Sequence, residues 1–169
     1  MVTGFSRSNG YDLETSVDQI IGESLDCDVF INNAWHDPGQ VELLRAWTRA
    51  HKDLPHLIIN IGTIGADPFL EYSNKFIEDY INQKKLLNLL SWEVNVNSYN
   101  CKSVMILPGI VDTDYFIGNI PLEMKDNYNK LKERDSVIQP IDVTNTVRFV
   151  LDTFSHNSFV SHISIINNI

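Results

Sequence analysis

This sequence is short of basic charge: Lys and Arg number 13 against 22 Asp and Glu, for a formal net charge of −9. Nucleic acids and anionic membranes bind clustered positive charge, so the balance argues against both as partners. The basic runs that exist, Lys84-Lys85 and Lys130 to Arg134, are diluted by neighbouring acids and fit solvated helix faces. Cysteine is scarce too. Cys27 and Cys101 are the only two, without metal-ligand spacing and too few for a disulfide scaffold. Reduced thiols in a cytoplasmic protein are the expectation. No apolar run reaches membrane-spanning length, and no basic segment followed by an apolar stretch opens the chain. Repeats, low-complexity tracts and linkers are missing as well. At 169 residues, 43% of them hydrophobic, the chain is expected to form a single globular domain, 1–169, with a substantial core.

What is present is an alternation of apolar runs with amphipathic segments, which predicts an α/β domain with a mainly parallel sheet. Leu13 to Leu25 carries Val17, Ile20, Ile21 and Leu25 at helical spacing, and Asp28 to Asn32 reads as a buried strand. Pro38-Gly39 breaks the chain before a helix over Gln40 to His51, marked by Val41, Leu44, Trp47 and Ala50. His56 to Ile61 is the next strand, Glu71 to Val96 a long helix, and Ser103 to Leu107 a third strand closed by Pro108-Gly109. Gly118 to Ser136 is polar and charged, suited to a surface helix or lid. Pro140 suits the first turn of a helix running to about Phe154, and His162 to Ile166 would be the last strand.

Four short motifs stand on this frame. Tyr80-Ile81-Asn82-Gln83-Lys84 puts a phenol and an amine on one helix face. Asn32-Asn33-Ala34 ends one strand, and Ile61-Gly62-Thr63 ends the next. Leu107-Pro108-Gly109-Ile110-Val111-Asp112-Thr113 follows the third. In this order they resemble the short-chain dehydrogenase/reductase family: its NNAG turn, its catalytic Ser or Thr after a strand, its YxxxK helix and its PG-x-x-x-T loop. The resemblance implies a Rossmann-like, doubly wound sheet and a nicotinamide cofactor.

A free phenol has a pKa of about 10, and an adjacent ammonium favours its ionised form. The resemblance makes Tyr80 the general acid/base. It makes Lys84 the cation that lowers the Tyr80 pKa and grips the nicotinamide ribose, and Thr63 the hydroxyl that orients the substrate oxygen. It also implies that Asn32, Asn33 and Ala34 back the adenosine side of the cofactor and tie the central strands. Pro108, Gly109 and Thr113 match the family's loop that passes over the nicotinamide, and the resemblance gives Ile110 and Thr113 the role of holding its carboxamide. The chain departs from the family in three places. Trp35 stands where Gly is usual, the interval from Thr63 to Tyr80 is long, and the stretch from Ala34 to Leu57 holds one helix where the family fits two. No residue there corresponds to the family's catalytic Asn.

The start of the chain departs furthest. Thr3, Gly4 and Gly10 superficially match a glycine-rich phosphate turn, with Ser8 replacing a Gly, but too little chain follows before Asn32. A second alignment fits better. Val2 to Phe5 becomes the family's second strand, Ser6 and Arg7 meet a 2′-phosphate, and Tyr11-Asp12-Leu13 forms the third strand, with Asp12 and Leu13 flanking the adenine. The first strand, glycine turn and helix are then absent.

The resulting expectation is an NADP-dependent oxidoreductase, with NAD the alternative cofactor, acting on a small carbonyl or alcohol. The competing readings are a degenerate binding module without turnover and a sugar-nucleotide reductase or epimerase. The resemblance further implies a homo-oligomer paired through helices 40–51 and 71–96, to which Trp47, Leu86, Leu89, Leu90 and Trp92 would contribute apolar surface; completion of the core is the other use for them.

Overall fold

Four apolar runs become four parallel strands: β1 (Val29–Asn32), β2 (Leu57–Ile61), β3 (Lys102–Pro108) and β4 (His162–Ile165), hydrogen-bonded in the order β1-β2-β3-β4. The computed structural model describes residues 2–33, 38–68, 77–97, 100–120, 122–155 and 158–167. The register aligns Asn32, Asn60 and Met105 across the sheet, and Met105 pairs in turn with His162. The helices are α1 (Val17–Glu23), α2 (Gly39–His51), α3 (Glu78–Val96), α4 (Asp114–Asn119), α5 (Leu122–Glu133) and α6 (Pro140–Thr153).

Strand side chains alternate between two faces, and both are packed, as a parallel sheet requires. Phe30, Ile58, Met105 and Leu107 join Ile20 of α1, Leu44 and Trp47 of α2 and Leu87 of α3. On the other face Leu57, Ile59, Val104 and Ile106 pack with Val150 of α6, flanked by Val147, Phe154 and Phe159. Trp47 is fully buried, stacked on His51 with ring centroids 4.1 Å apart. The sheet is incompletely covered at one edge. Among the described residues β1 pairs only with β2, and Val29 and Ile31 remain 36% and 48% exposed.

Local signals account for the helix starts. Pro140 occupies the first turn of α6, and the Gln139 N–H donates to Asp142 Oδ2 at 2.8 Å, closing the N-terminus. At the start of α2 a side chain in place of Gly39 would collide with Leu13, which packs there into the core.

The N-terminal segment differs from expectation. Neither Val2 to Phe5 nor Tyr11 to Leu13 is a strand. Arg7–Asn9 is a 3-10 turn, held by the Ser6 N–H donating to Asn9 Oδ1 at 2.7 Å and ended by Gly10 at φ 97°. The local Ser and Asn hydrogen bonds satisfy the backbone here and compete with any strand ladder. The helix expected over 13–25 is confined to α1, because Asp12 to Ser16 form turns in which Asp12 O accepts from Ser16 N at 2.7 Å. The polar stretch after Gly118 carries α5, preceded by α4. The beginning of the helix expected over 71–96 lies partly outside the described residues; its described portion is α3.

Candidate active site

The carboxyl end of β2 delivers Thr63 to the site. Gly62 allows this: a Cβ there would sit 2.5 Å from the Leu107 side chain and 2.8 Å from that of Met105. Thr63 has an extended backbone (φ −151°, ψ 150°) and precedes a 3-10 turn over Ile64–Ala66. Helix α3 brings Tyr80 and Lys84 to the same place on successive turns. The Tyr80 phenol shares a hydrogen bond with the Thr63 side chain, and Lys84 Nζ lies 5.4 Å from the centre of the Tyr80 ring. All three residues named from the sequence as catalytic therefore converge.

The electrostatics differ from the expected ones. Burial is the largest influence on Tyr80 and pushes its pKa above the ordinary phenol value; the hydrogen bond with Thr63 acts the other way. Lys84 is 3% exposed, and burial alone lowers its amine to about 7. The expected lowering of Tyr80 by Lys84 thus does not dominate. An amine that is itself desolvated carries only part of its charge at neutral pH, and removal of the phenol from water outweighs it.

Gln40 is the residue that sequence reasoning missed. Its Oε1 accepts from Lys84 Nζ at 2.6 Å, while its Nε2 donates to Asn32 O at 2.8 Å and Ile61 O at 3.0 Å. Lys84 Nζ also donates to Ile61 O at 2.9 Å. The signal available was a polar residue directly after Pro38-Gly39, at the mouth of a helix whose next residues are apolar.

Asn32 ties the strands together, as the resemblance implies. Its Nδ2 donates to Asn60 Oδ1 and to Gln40 O, each at 2.9 Å; Asn60 Nδ2 donates to Ser103 Oγ at 3.0 Å, and Ser103 Oγ meets Ser91 Oγ of α3 at 2.7 Å. This buried polar ladder fixes α3 over the sheet, and with it Tyr80 and Lys84. Asn33 is exposed at the end of β1, and Ala34, Trp35 and His36 lie outside the described residues.

For a dinucleotide the fit is uneven. Lys84 and Thr113 suit the nicotinamide side: the Thr113 hydroxyl accepts from Phe116 N at 3.1 Å, capping α4, and keeps its own proton to donate. Pro108 ends β3, and the Gly109 N–H donates to Ile165 O at 2.9 Å. Ile110 is committed elsewhere. Its N–H donates to Asn167 Oδ1 at 2.9 Å, and its carbonyl accepts from Asn167 Nδ2 and Ile138 N at 3.2 and 3.1 Å. The Ile110 backbone N–H and carbonyl are therefore both already paired within the chain. On the adenosine side, Arg7 pairs with Asp12 at 3.1 Å instead of presenting a free cation, and Leu13 is buried against Gly39. The Ser6 hydroxyl lies 2.8 Å from Ser8 Oγ. An exposed pair like Arg7–Asp12 is weak enough for a phosphate to displace the carboxylate. Among the described residues, no strand leads into Gly4 or Gly10.

Among the described residues, no three His, Cys, Asp or Glu side chains gather as a metal site, and no helix is long and apolar enough to cross a membrane.

No family model matches the sequence, and no curated protein matches it. Solved structures do. The chain is similar to an alcohol dehydrogenase from Thermococcus sibiricus, solved with 5-hydroxy-NADP, at a TM-score of 0.64 and 17% identity, covering 91% of this chain and 71% of that one. A short-chain dehydrogenase from Burkholderia cenocepacia, solved with NADP, gives 0.63 and 17%, with coverages of 92% and 65%. L-sorbose reductase from Gluconobacter frateurii, solved with NADPH and L-sorbose, gives 0.61 and 20%, with coverages of 92% and 72%. This chain thus spans about two thirds to three quarters of their length. Likeness at such low identity establishes architecture, and the architecture of this chain is the Rossmann-like α/β fold of the short-chain dehydrogenases and reductases.

Proposed function

We propose that this chain is an oxidoreductase of the short-chain type, with NADP as cofactor and NAD as the alternative, acting on a small carbonyl or secondary alcohol. The observation that carries this reading is the meeting of Thr63, Tyr80 and Lys84, two elements apart in the fold, at the carboxyl end of β2. Open α/β sheets place ligands at this end of their strands. A bound nicotinamide would supply or accept the hydride. The Thr63 hydroxyl and Tyr80 phenol hold the substrate oxygen between them. In the reducing direction Tyr80 would give that oxygen its proton; in the oxidising direction it would take the proton back. A raised phenol pKa keeps Tyr80 protonated and ready to donate. Lys84 offers an N–H toward the nicotinamide ribose.

Tyr80→Phe tests this role, since it removes one hydroxyl and keeps the ring. Turnover should fall about 100- to 10,000-fold while NADPH affinity is retained. Equal turnover in the variant would remove Tyr80 from the mechanism.

A second reading, a binding module without turnover, is favoured by the edge of β1, which has no second partner strand among the described residues, and by the absence of a strand in residues 2–13. Both leave the pyrophosphate with fewer contacts than a dinucleotide site usually provides.

The reading includes pairing of two copies through α3. Leu86, Leu89, Trp92 and Val96 are 42%, 61%, 62% and 51% exposed and lie along one side of that helix. Trp47 takes no part, being wholly inside the core, and the exposed side of α2 is largely charged, with Glu42, Arg45 and Arg49. The contact thus centres on α3 rather than being shared equally between the two helices.

A further inference from the structure

We propose that Gln40 is a positioning residue that holds the Lys84 amine in a single orientation, with one proton site left on Nζ for exchange with Tyr80 or a ligand. The inference rests on the Tyr80–Lys84 reading given above and extends it to a residue of a different element.

The orientation of the Gln40 amide is dictated by its neighbours. Nε2 faces two backbone carbonyls, Asn32 O at 2.8 Å and Ile61 O at 3.0 Å, which can only accept. Reversing the amide would set an oxygen against those two oxygens and an NH2 group against the lysine. Oε1 therefore faces Lys84. Lys84 Nζ and Gln40 Nε2 both donate to Ile61 O, at 2.9 and 3.0 Å, so the three groups close a ring of hydrogen bonds joining α2, β2 and α3. Gln40 and Lys84 are each 3% exposed, which keeps water from replacing these partners cheaply.

A neutral amine has two N–H groups and one lone pair, whereas an ammonium has three N–H groups. The ring takes two N–H groups in either state. Proton gain and loss are thereby confined to the remaining tetrahedral position, on a nitrogen 5.4 Å from the centre of the Tyr80 ring. Among the described residues, the groups facing this nitrogen are the Gln40 amide from α2, the Ile61 carbonyl from β2 and the Tyr80 ring from α3; Tyr80, in turn bonded to Thr63, is the titratable one. Among the described residues no carboxylate contributes to the state of Lys84, whose value, lowered to about 7, comes from burial. Both protonation states are thus populated near neutral pH, and the framework around them does not change.

The test is the titration of Lys84 in the full chain carrying 13C-labelled lysine, followed by NMR and assigned by the signal lost in Lys84→Met. Gln40→Glu puts a carboxylate against the amine and should raise the Lys84 midpoint by about one pH unit or more, a tenfold change in its acid constant. Gln40→Met, neutral and of similar length, removes an acceptor that the ammonium needs more than the amine does, and should lower the midpoint. Opposite shifts support the positioning role, since a residue acting only through packing would not shift Lys84 in opposite directions. A Lys84 midpoint unmoved in either folded variant overturns it. Because the readout does not use turnover, opposite shifts alongside a wild-type chain that binds neither NADPH nor NADH would support the Gln40–Lys84 coupling while refuting the oxidoreductase reading.

Discussion

Tyr128 donates its phenolic hydrogen to Asp112 at 2.6 Å, tying α5 to the loop that leaves β3. Lys132, one turn further along α5, stands 3.6 Å from the same carboxylate. The hydrogen bond from Tyr128, then the charge of Lys132, holds the Asp112 carboxyl below its ordinary range, against the desolvation that raises it. Tyr128→Phe should leave the sheet intact and loosen α5 selectively. Amide exchange would show faster exchange over 122–133 and unchanged rates over 102–108. Equal protection of α5 in the two proteins would contradict the link.

A different pair governs acid stability. His51 and His56 meet edge to face, with ring centroids 4.6 Å apart, beside Trp47. Burial lowers the pKa of His56, and the charge of His51 adds to this, while Asp28 opposes both. In the unfolded chain His56 takes up a proton near pH 6.5, but the folded chain resists it. The unfolded state then binds more protons, so stability is lost as pH falls below 6.5. The denaturant midpoint should drop between pH 7 and pH 5.5, and His56→Phe should flatten that drop. A variant as acid-sensitive as the wild type would place the sensitivity elsewhere.

Lys84 imposes the same sign at higher pH. Its amine titrates near 7 in the folded chain against 10.5 when unfolded, so through that window the unfolded state holds the extra proton. Stability should therefore rise from pH 7 to pH 8.5. Lys84→Met removes this slope, and the difference in urea midpoint between the two proteins should change steadily over that range. Parallel curves would mean that Lys84 keeps an ordinary pKa.

Trp47 and Trp92 separate core from surface. Trp47→Ala should cost about 3–5 kcal/mol of stability, the usual range for emptying a buried aromatic site. Trp92→Glu, on the exposed stripe of α3 with Leu89, should leave stability nearly unchanged and shift the chain toward monomer in analytical ultracentrifugation. A monomeric wild type would remove the proposed pairing.

Much of the architecture was legible because parallel strands buried on both faces read as unbroken apolar runs. His56 to Ile61 and Ser103 to Leu107 fall within a residue of β2 and β3, and Pro140 marked α6 for a local reason. Residues 2–13 misled, since Val2 to Phe5 has apolar ends but, among the described residues, no neighbouring strand to pair with, and short-range Ser and Asn hydrogen bonds captured the backbone. Tyr80 and Lys84 were legible because both lie on one helix, where spacing alone puts them on one side. Gln40 was not. It joins Lys84 across 44 positions of sequence, and a contact of that range depends on how α2 and α3 lie over the sheet. The commitment of Ile110 to Asn167 was hidden for the same reason: the partner follows β4, 57 positions away.

Thr63, Tyr80 and Lys84 are proposed to form a nicotinamide-dependent site. Titration of the wild-type chain with NADPH and separately with NADH, following tryptophan fluorescence, tests it most directly. The account predicts a dissociation constant on the order of micromolar for NADPH, weaker binding of NADH because it has no 2′-phosphate to draw Arg7 from Asp12, and weakened binding of both in Lys84→Met. A wild-type chain that binds neither nucleotide would contradict it.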